Sequence, residues 1–192
     1  MNIICFDTEW LYNNHKKDEK FSFNCEPMLK ALQDRYGIKY IYRRILNRED
    51  LIFYMKKFNG KRSKVNYPLI YFSSHGWDGS VYLEGERKRE SSTIDLEQLA
   101  QLCTDFFKGR IVHFSSCRTM NDLEKVKRFK KDSHARKVSG YKASVDAMDS
   151  LVFDFSYFNA LQLYSTQTIS KETSRFQKHY ASLIDYLQFC IV

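Results

Sequence analysis

The sequence predicts one α/β domain over residues 1–192, a three-layer sandwich with a mostly parallel central sheet between helices. Short apolar runs alternate with stretches in which apolar residues recur at helical spacing, which is typical of strands that alternate with helices. Apolar residues make up 43% of the chain, including 15 Phe and 13 Tyr, so a packed core is expected. Only two prolines and seven glycines are present, which argues against long linkers.

The first half of the chain predicts three strands and two helices. Pro27 suits the first turn of a helix that Gly37 ends, and Asn47 is a good N-cap for the next helix. Residues 11–25 are polar and predicted to be irregular, and residues 75–79 are predicted to form a turn. The predicted strands cover 2–6, 38–46 and 68–73, and the predicted helices cover 27–36 and 48–58.

The second half continues the alternation. A small edge strand is expected over 81–85, and a helix is expected to begin after Thr93 or Asp95 and to stop at Gly109. The remaining predicted strands cover 110–115 and 138–144, and the remaining predicted helices cover 122–131, 148–164 and 170–189.

Charge and cysteine content limit the classes of function. The net charge is +8, but the basic residues stand mainly in 87–89 and 125–137, which favours a solvated face over a nucleic-acid site. No run approaches the roughly 20 apolar residues of a membrane span, and the first residues are typical of a strand rather than a signal peptide. The five scattered cysteines lack CxxC pairs, which predicts a reduced, cytoplasmic protein.

Two strand-like runs end in the same three residues, Phe-Ser-Ser, and each is followed by a residue that can take part in catalysis. The run over 71–74 leads into His75 and the run over 113–116 leads into Cys117, each through Phe-Ser-Ser. If the two runs are neighbouring parallel strands, both residues lie at the carboxyl edge of the sheet, where α/β proteins bind ligands. The pattern therefore predicts a histidine and a cysteine side by side.

This pair suits thiol nucleophilic catalysis. A cysteine nucleophile needs a partner that accepts its proton and later protonates the leaving group, and histidine does both near neutral pH. The backbone N–H groups of Gly76 and Cys117 are candidates for an oxyanion hole. The small Ser115 leaves room for a substrate backbone beside the thiol.

Other roles for these residue types remain open at this point. A lone histidine or cysteine at a strand end is most often structural, and His113, inside its strand, is expected in the core. A zinc site from His75, His113, Cys103 and Cys117 lacks the paired spacing of structural zinc sites. The chain contains no Gly-rich phosphate loop, so neither a metal nor a cofactor is expected.

The order of these motifs resembles the caspase-like cysteine peptidases, a superfamily that includes caspases, gingipains and separases. A strand that ends in Ser-His-Gly, then a helix, then a strand that ends in Ser-Ser-Cys is most similar to its bacterial CHAT-type branch. His75 and Cys117 are 42 positions apart, similar to the dyad separation in this superfamily. The element order from residue 1 to about 165 is also similar to its sandwich core.

The resemblance implies a cysteine endopeptidase with His75 as base and acid, Cys117 as nucleophile, and Gly76 and Cys117 as the oxyanion hole. It places a substrate groove beside residues 138–146. Ser115 stands where the arginine-specific branch often has an acid, so strict arginine specificity does not carry over from that position. Asp146 or Asp149 is a second candidate for a carboxylate that binds a basic P1 side chain. An equally good interpretation is that Asp146 caps the following helix.

The resemblance also bears on partners. Relatives often act on protein substrates in bacterial stress or antiviral responses, and this chain has no evident sensor region, so a separate activator or regulatory protein is expected. The basic run over 125–132 is either a processed or partner-contact segment or, as we favour, a solvated helix face. The alternatives for the whole chain are a non-catalytic caspase-like binding module and a basic nucleic-acid-binding protein.

Overall fold

A computed structural model describes residues 1–8, 10–12, 21–83, 93–171 and 174–192. Its strands are β1 (Ile3–Asp7), β2 (Trp10–Tyr12), β3 (Phe21–Phe23), β4 (Tyr40–Arg44), β5 (Leu69–Ser73), β6 (His75–Trp77), β7 (Ser80–Tyr82), β8 (Thr93–Asp95), β9 (Ile111–Ser115), β10 (Lys137–Tyr141) and β11 (Phe189–Ile191). Its helices are α1 (Glu26–Tyr36), α2 (Arg48–Lys57), α3 (Lys61–Asn66), α4 (Leu96–Gln101), α5 (Leu123–Asp132), α6 (Ala147–Leu163), α7 (Thr166–Ile169), α8 (Arg175–His179) and α9 (Ala181–Leu187).

Six strands form the central sheet, in the order β11-β10-β9-β5-β1-β4. The five strands from β10 to β4 run parallel, and β11 joins the edge antiparallel to β10. Smaller sheets are formed by β2 with β3 and by β6, β7 and β8. The prediction of an α/β fold with a mostly parallel sheet is confirmed.

The sheet is apolar on both faces because successive side chains of a buried strand point to opposite sides. Along β1, Ile4 and Phe6 belong to one apolar cluster, while Ile3 and Cys5 belong to another. Residues of α2, α4 and α5 complete the first cluster, and residues of α1 and α6 complete the second. Every residue of β1, β5 and β9 is buried, so these strands form the centre of the molecule.

The structure corrects several predicted elements. The segment over 11–25, predicted to be irregular, contains the end of β2 and all of β3, while its residues 13–20 lie outside the described residues. The predicted turn over 75–79 is strand β6 followed by a short turn. Helix α3 was not predicted, because it buries no side chain and has no apolar periodicity to reveal it. Of the predicted strand over 81–85, residues 84–85 lie outside the described residues.

The last predicted helices are shorter than expected. The helix that begins after Asp95 ends at Gln101, and Asp105 then has a positive φ of 64°, which a continuing α-helix does not allow. The predicted helix over 170–189 is broken into α8 and α9, and Gln188, at φ 48°, turns the chain into β11. Here tertiary pairing with β10 replaces the local helical tendency.

Candidate active site

The two Phe-Ser-Ser runs end side by side at the carboxyl edge of the sheet. Strands β5 and β9 are parallel neighbours, with Ser73 opposite Ser115. One residue further, the backbone N–H of Ser74 donates to the carbonyl oxygen of Ser115 at 3.3 Å. His75 and Cys117 therefore leave the sheet from adjacent strand ends.

His75 begins a tight β-hairpin formed by β6 and β7. Asp78 and Gly79 form its two-residue turn, both with positive φ, 37° and 82°. This backbone matches a type I′ turn, for which Asp-Gly is a preferred sequence because glycine tolerates positive φ. The turn aligns Trp77 with Ser80 and Gly76 with Val81.

Gly76 lies directly against the loop that carries Cys117. A Cβ added at Gly76 would lie 2.8 Å from Cβ of Ser116 and 3.0 Å from the carbonyl oxygen of Cys117, and closer still to Oγ1 of Thr119. These separations are shorter than van der Waals contact, so a larger residue cannot stand here without movement of the loop. The hairpin and the 116–119 loop are thus in close backbone contact.

Arg118 joins the same two segments through its side chain. Its Nε donates to Oδ1 of Asp78 at 2.9 Å, and its guanidinium carbon lies 4.4 Å from the centre of the Trp77 ring. Thr119 adds a hydrogen bond from Oγ1 to the carbonyl oxygen of Ser80 at 3.0 Å. His75 and Trp77 lie on the same face of β6 because side chains alternate along a strand. The side chain next to Cys117 in sequence therefore reaches the face on which His75 lies.

Cys117 differs from the other cysteines in its surroundings. Its side chain is half-buried, and Sγ accepts a hydrogen bond from the backbone N–H of Val145 at 3.3 Å. Sγ also lies 3.6 Å from the carbonyl oxygen of Val145, to which the thiol can donate. Burial raises the pKa of Cys5, Cys25, Cys103 and Cys190, which keeps those thiols protonated.

Burial lowers the pKa of His75 below its ordinary value of 6.5. The imidazole is therefore neutral at pH 7, and a neutral imidazole is the form that accepts a proton from a thiol. The His75 ring is half-buried, which fits a group at the edge of the sheet.

The other predicted site residues are Ser115, Asp146 and Asp149. Ser115 is only 3% exposed within β9, and its contact with a substrate stays a prediction. Asp146 caps α6, where its Oδ1 accepts hydrogen bonds from the N–H groups of Met148 at 2.8 Å and Asp149 at 3.3 Å. The capping interpretation is thus observed, while a specificity pocket at Asp146 or Asp149 stays a prediction.

The structure does not bring the four zinc candidates together. His113 is fully buried, with Nε2 2.6 Å from Oδ1 of Asp154 and Nδ1 2.9 Å from Oγ of Ser139. Asp154 also accepts hydrogen bonds from the hydroxyls of Tyr71, at 2.8 Å, and Tyr141. No three His, Cys, Asp or Glu side chains in the described part of the chain are grouped to hold a metal ion.

Sequence reasoning missed two acidic residues near this region. Asp154 stands between phenylalanines in α6, and an acid in the middle of an apolar helix was the available signal. Asp7 ends β1, opposite Ser73, and is fully buried. Its Oδ2 accepts from the Tyr42 hydroxyl, whereas Oδ1 has no hydrogen-bond partner among the described residues, and burial raises its pKa.

Comparison with known proteins gives a family without a known activity. No curated protein matches the chain. None of the described helices is long and apolar enough to cross a membrane. The chain matches the family of unknown function DUF6642 over its full length, residues 1–192, and it belongs to that family.

Proposed function

We propose that this protein is a cysteine endopeptidase in which Cys117 is the nucleophile and His75 is the general base and acid. The observation that carries the proposal is the close docking of the His75 hairpin on the 116–119 loop. Gly76, Asp78 and Trp77 of the hairpin all contact that loop. The two segments that carry His75 and Cys117 are thus held together by packing, which supports their assignment as a thiol–imidazole pair.

The reaction proceeds in two steps. His75 takes the proton of the Cys117 thiol, the thiolate attacks the peptide carbonyl carbon, and His75 gives the proton to the leaving amine. The acyl group is then joined to Cys117 as a thioester. A water molecule, deprotonated by His75, attacks the thioester, and the released thiolate regains the proton.

Gly76 and Cys117 supply the oxyanion hole in this proposal. In a hairpin with a two-residue turn, the closing pair of Trp77 and Ser80 exchanges the ladder hydrogen bonds. Gly76 therefore occupies a non-hydrogen-bonded position, and its N–H points away from β7. An N–H in a preorganised turn is suited to stabilise the negative charge of a tetrahedral intermediate.

The resemblance to caspase-like peptidases extends the proposal beyond the dyad. It assigns the fold to the caspase-like three-layer sandwich and the substrate groove to the region beside β10. A basic P1 residue bound by Asp146 or Asp149, a cytoplasmic location, and activation by a partner in a bacterial stress or antiviral response belong to the same proposal. Each of these rests on the resemblance and on the residues named for it.

The test is covalent labelling of the purified protein by a peptide that carries a thiol-reactive group at its P1 carbonyl. We expect labelling of wild type, no labelling of Cys117→Ala, and much slower labelling of His75→Ala. Cys190→Ala is the matched control for the nucleophile, because Cys190 is the other half-buried cysteine. His179→Ala is the control for the base, because His179 is exposed on α8.

Two results would overturn the assignment separately. Unchanged labelling of Cys117→Ala would remove Cys117 as the nucleophile. Labelling of His75→Ala at the wild-type rate would remove His75 as the base. If wild type is labelled by none of a set of Arg, Leu and Asp peptides, the non-catalytic binding module becomes the better description.

A further inference from the structure

The amino-terminal edge of the central sheet, opposite the candidate active site, collects three basic segments. Residues 56–64 lead toward β5, residues 104–110 lead into β9, and residues 130–137 lead into β10. Because β5, β9 and β10 are parallel neighbours, these segments meet at one edge. We call the three segments together the basic edge.

Hydrogen bonds hold the first two segments of the basic edge together. The side-chain amide of Asn59 donates to the carbonyl oxygen of Thr104 at 2.8 Å. Nη2 of Arg110 donates to the carbonyl oxygen of Phe58 at 3.0 Å and to Oγ of Ser63 at 3.1 Å.

The second and third segments are joined in the same way. The N–H of Gly109 donates to the carbonyl oxygen of His134 at 2.9 Å, and the N–H of Arg136 donates to the carbonyl oxygen of Arg110 at 2.7 Å. An isolated antiparallel bridge also pairs Lys108 with Ala135. The basic edge is therefore one continuous surface.

This surface accounts for the whole positive charge of the protein. It contains eleven lysines and arginines but only two acidic residues, Asp105 and Asp132, so its formal charge is +9 against +8 for the entire chain. The rest of the molecule is close to neutral. Ten of the eleven cations are exposed or half-buried: Lys56, Lys57, Lys61, Arg62, Lys64, Lys108, Lys130, Lys131, Arg136 and Lys137.

Carboxylates do little to neutralise these cations. Within the described ranges, the cation of the basic edge that pairs with a carboxylate is Lys108, whose Nζ lies 3.6 Å from Oδ1 of Asp105. The lysines of α5 that lie nearer the opposite edge do have acidic partners, as in the pair of Lys125 with Asp95 at 2.8 Å. Burial lowers the pKa of Lys130, and repulsion by the charge of Lys137 lowers it further.

Arg110 places a further positive charge beneath this surface. Its side chain is fully buried, it binds backbone carbonyls and a hydroxyl rather than a carboxylate, and its Nε has no hydrogen-bond partner among the described residues. A buried cation is screened less than a solvated one, so its field adds to the potential of the edge above it.

We propose that the basic edge binds the phosphate backbone of a nucleic acid, independently of its sequence. Lysine is a point-charge donor suited to phosphates, and eight of the ten accessible cations are lysines. Protein–protein interfaces, by contrast, are depleted in lysine and have an apolar, aromatic centre. The proposal does not depend on the peptidase assignment, because the basic edge and the candidate active site lie at opposite edges of the sheet.

Binding of this kind has a defined salt dependence. If about five phosphates of a single strand are contacted, the slope of log K against log[salt] is about −3.5, so affinity falls roughly 130-fold between 50 and 200 mM salt. Two mixed-sequence oligonucleotides of equal length should bind equally, because backbone contacts carry no base information.

The test is fluorescence anisotropy with a labelled 20-nucleotide single strand, measured for the full chain across this salt range. We expect the double variant Lys61→Glu, Lys64→Glu to weaken binding at least tenfold. The loss of about two phosphate contacts should also make the salt slope shallower by roughly 1.4. A second double variant, Lys130→Glu with Lys131→Glu, should act similarly from another segment. Circular dichroism confirms that each variant is folded.

The matched control, Lys171→Glu with Lys178→Glu, changes the net charge equally at exposed positions outside the basic edge. It should bind nearly as well as wild type. Equal loss in the control would show that only net charge matters, and absence of wild-type binding at 50 mM salt would refute the proposal outright. If polyglutamate of matched charge competes as well as an unlabelled oligonucleotide, the edge selects acidic proteins, and the nucleic-acid assignment is wrong.

Discussion

Replacement of Gly76 by alanine should force apart the two segments that carry His75 and Cys117. The added methyl group would lie 2.8 Å from Cβ of Ser116 and 3.0 Å from the carbonyl oxygen of Cys117. Two of its three nearest neighbours belong to side chains on the buried residues Ser116 and Thr119, and the third is backbone, so none can swing into solvent. Overpacking of this kind costs about 1–3 kcal/mol.

The expected loss is measurable by thermal melting. For a chain of this size each kcal/mol lowers Tm by about 2–4 °C, so Gly76→Ala should melt about 2–12 °C below wild type. Its rate of thiol labelling should fall as well, because Gly76 immediately follows the proposed base. Gly60→Ala is the matched control, since no atom lies within 4 Å of its added Cβ and its φ is −62°.

A double variant tests whether the loss of stability comes from the contact between the added methyl group and Thr119. Thr119→Ala removes the atom nearest to the added methyl group, so Gly76→Ala should cost less in that background than in wild type. If Gly76→Ala melts within 1 °C of wild type and labels at the same rate, the hairpin does not lie against the 116–119 loop, and the geometry proposed for the site is wrong.

Three further outcomes are expected. Asp154→Ala should lower the free energy of unfolding in urea by about 3–5 kcal/mol, because it removes the buried carboxylate that His113 and two tyrosines share; a loss below 1 kcal/mol would contradict the network. Asp146→Ala should cost about 1 kcal/mol and Asp146→Ser nearly nothing, since serine also caps; a change in the preference of Asp146→Ser for basic peptides would support the pocket. Stability should fall as pH drops below 6.5, because the unfolded chain then binds a proton at His75 that the folded chain resists, and His75→Gln should remove that part of the pH dependence of Tm.

The candidate dyad could be predicted because its signal is local. A strand that ends in a reactive residue is visible as an apolar run followed by that residue, and two such runs in one α/β chain imply a common edge. What holds the pair in place could not be predicted. Arg118 contacts Asp78 and Trp77 across about 40 positions of sequence, and neither its charge nor its spacing marks that contact.

Elements with weak periodicity were predicted least well. Strand β11 lies in a segment with helical spacing, and its strand state depends on pairing with β10. Helix α3 buries nothing, so its residues carry no apolar pattern. Asp154 was missed because partners of a buried carboxylate come from distant strands, here Tyr71, His113 and Tyr141.

By itself, the sequence determined the fold class, the order of its main strands and the two residues proposed to carry the chemistry, because these depend on local apolar patterns and strand ends. Tertiary structure alone decided which charges stand together. The basic residues are scattered over 56–64, 104–110 and 130–137 in sequence, and parallel pairing of β5, β9 and β10 gathers them at one edge. Parallel strands all begin at one edge of the sheet and end at the other. Residues that follow the strands therefore meet at the carboxyl edge, as at Cys117, and residues that precede them meet at the amino-terminal edge, as in the basic edge.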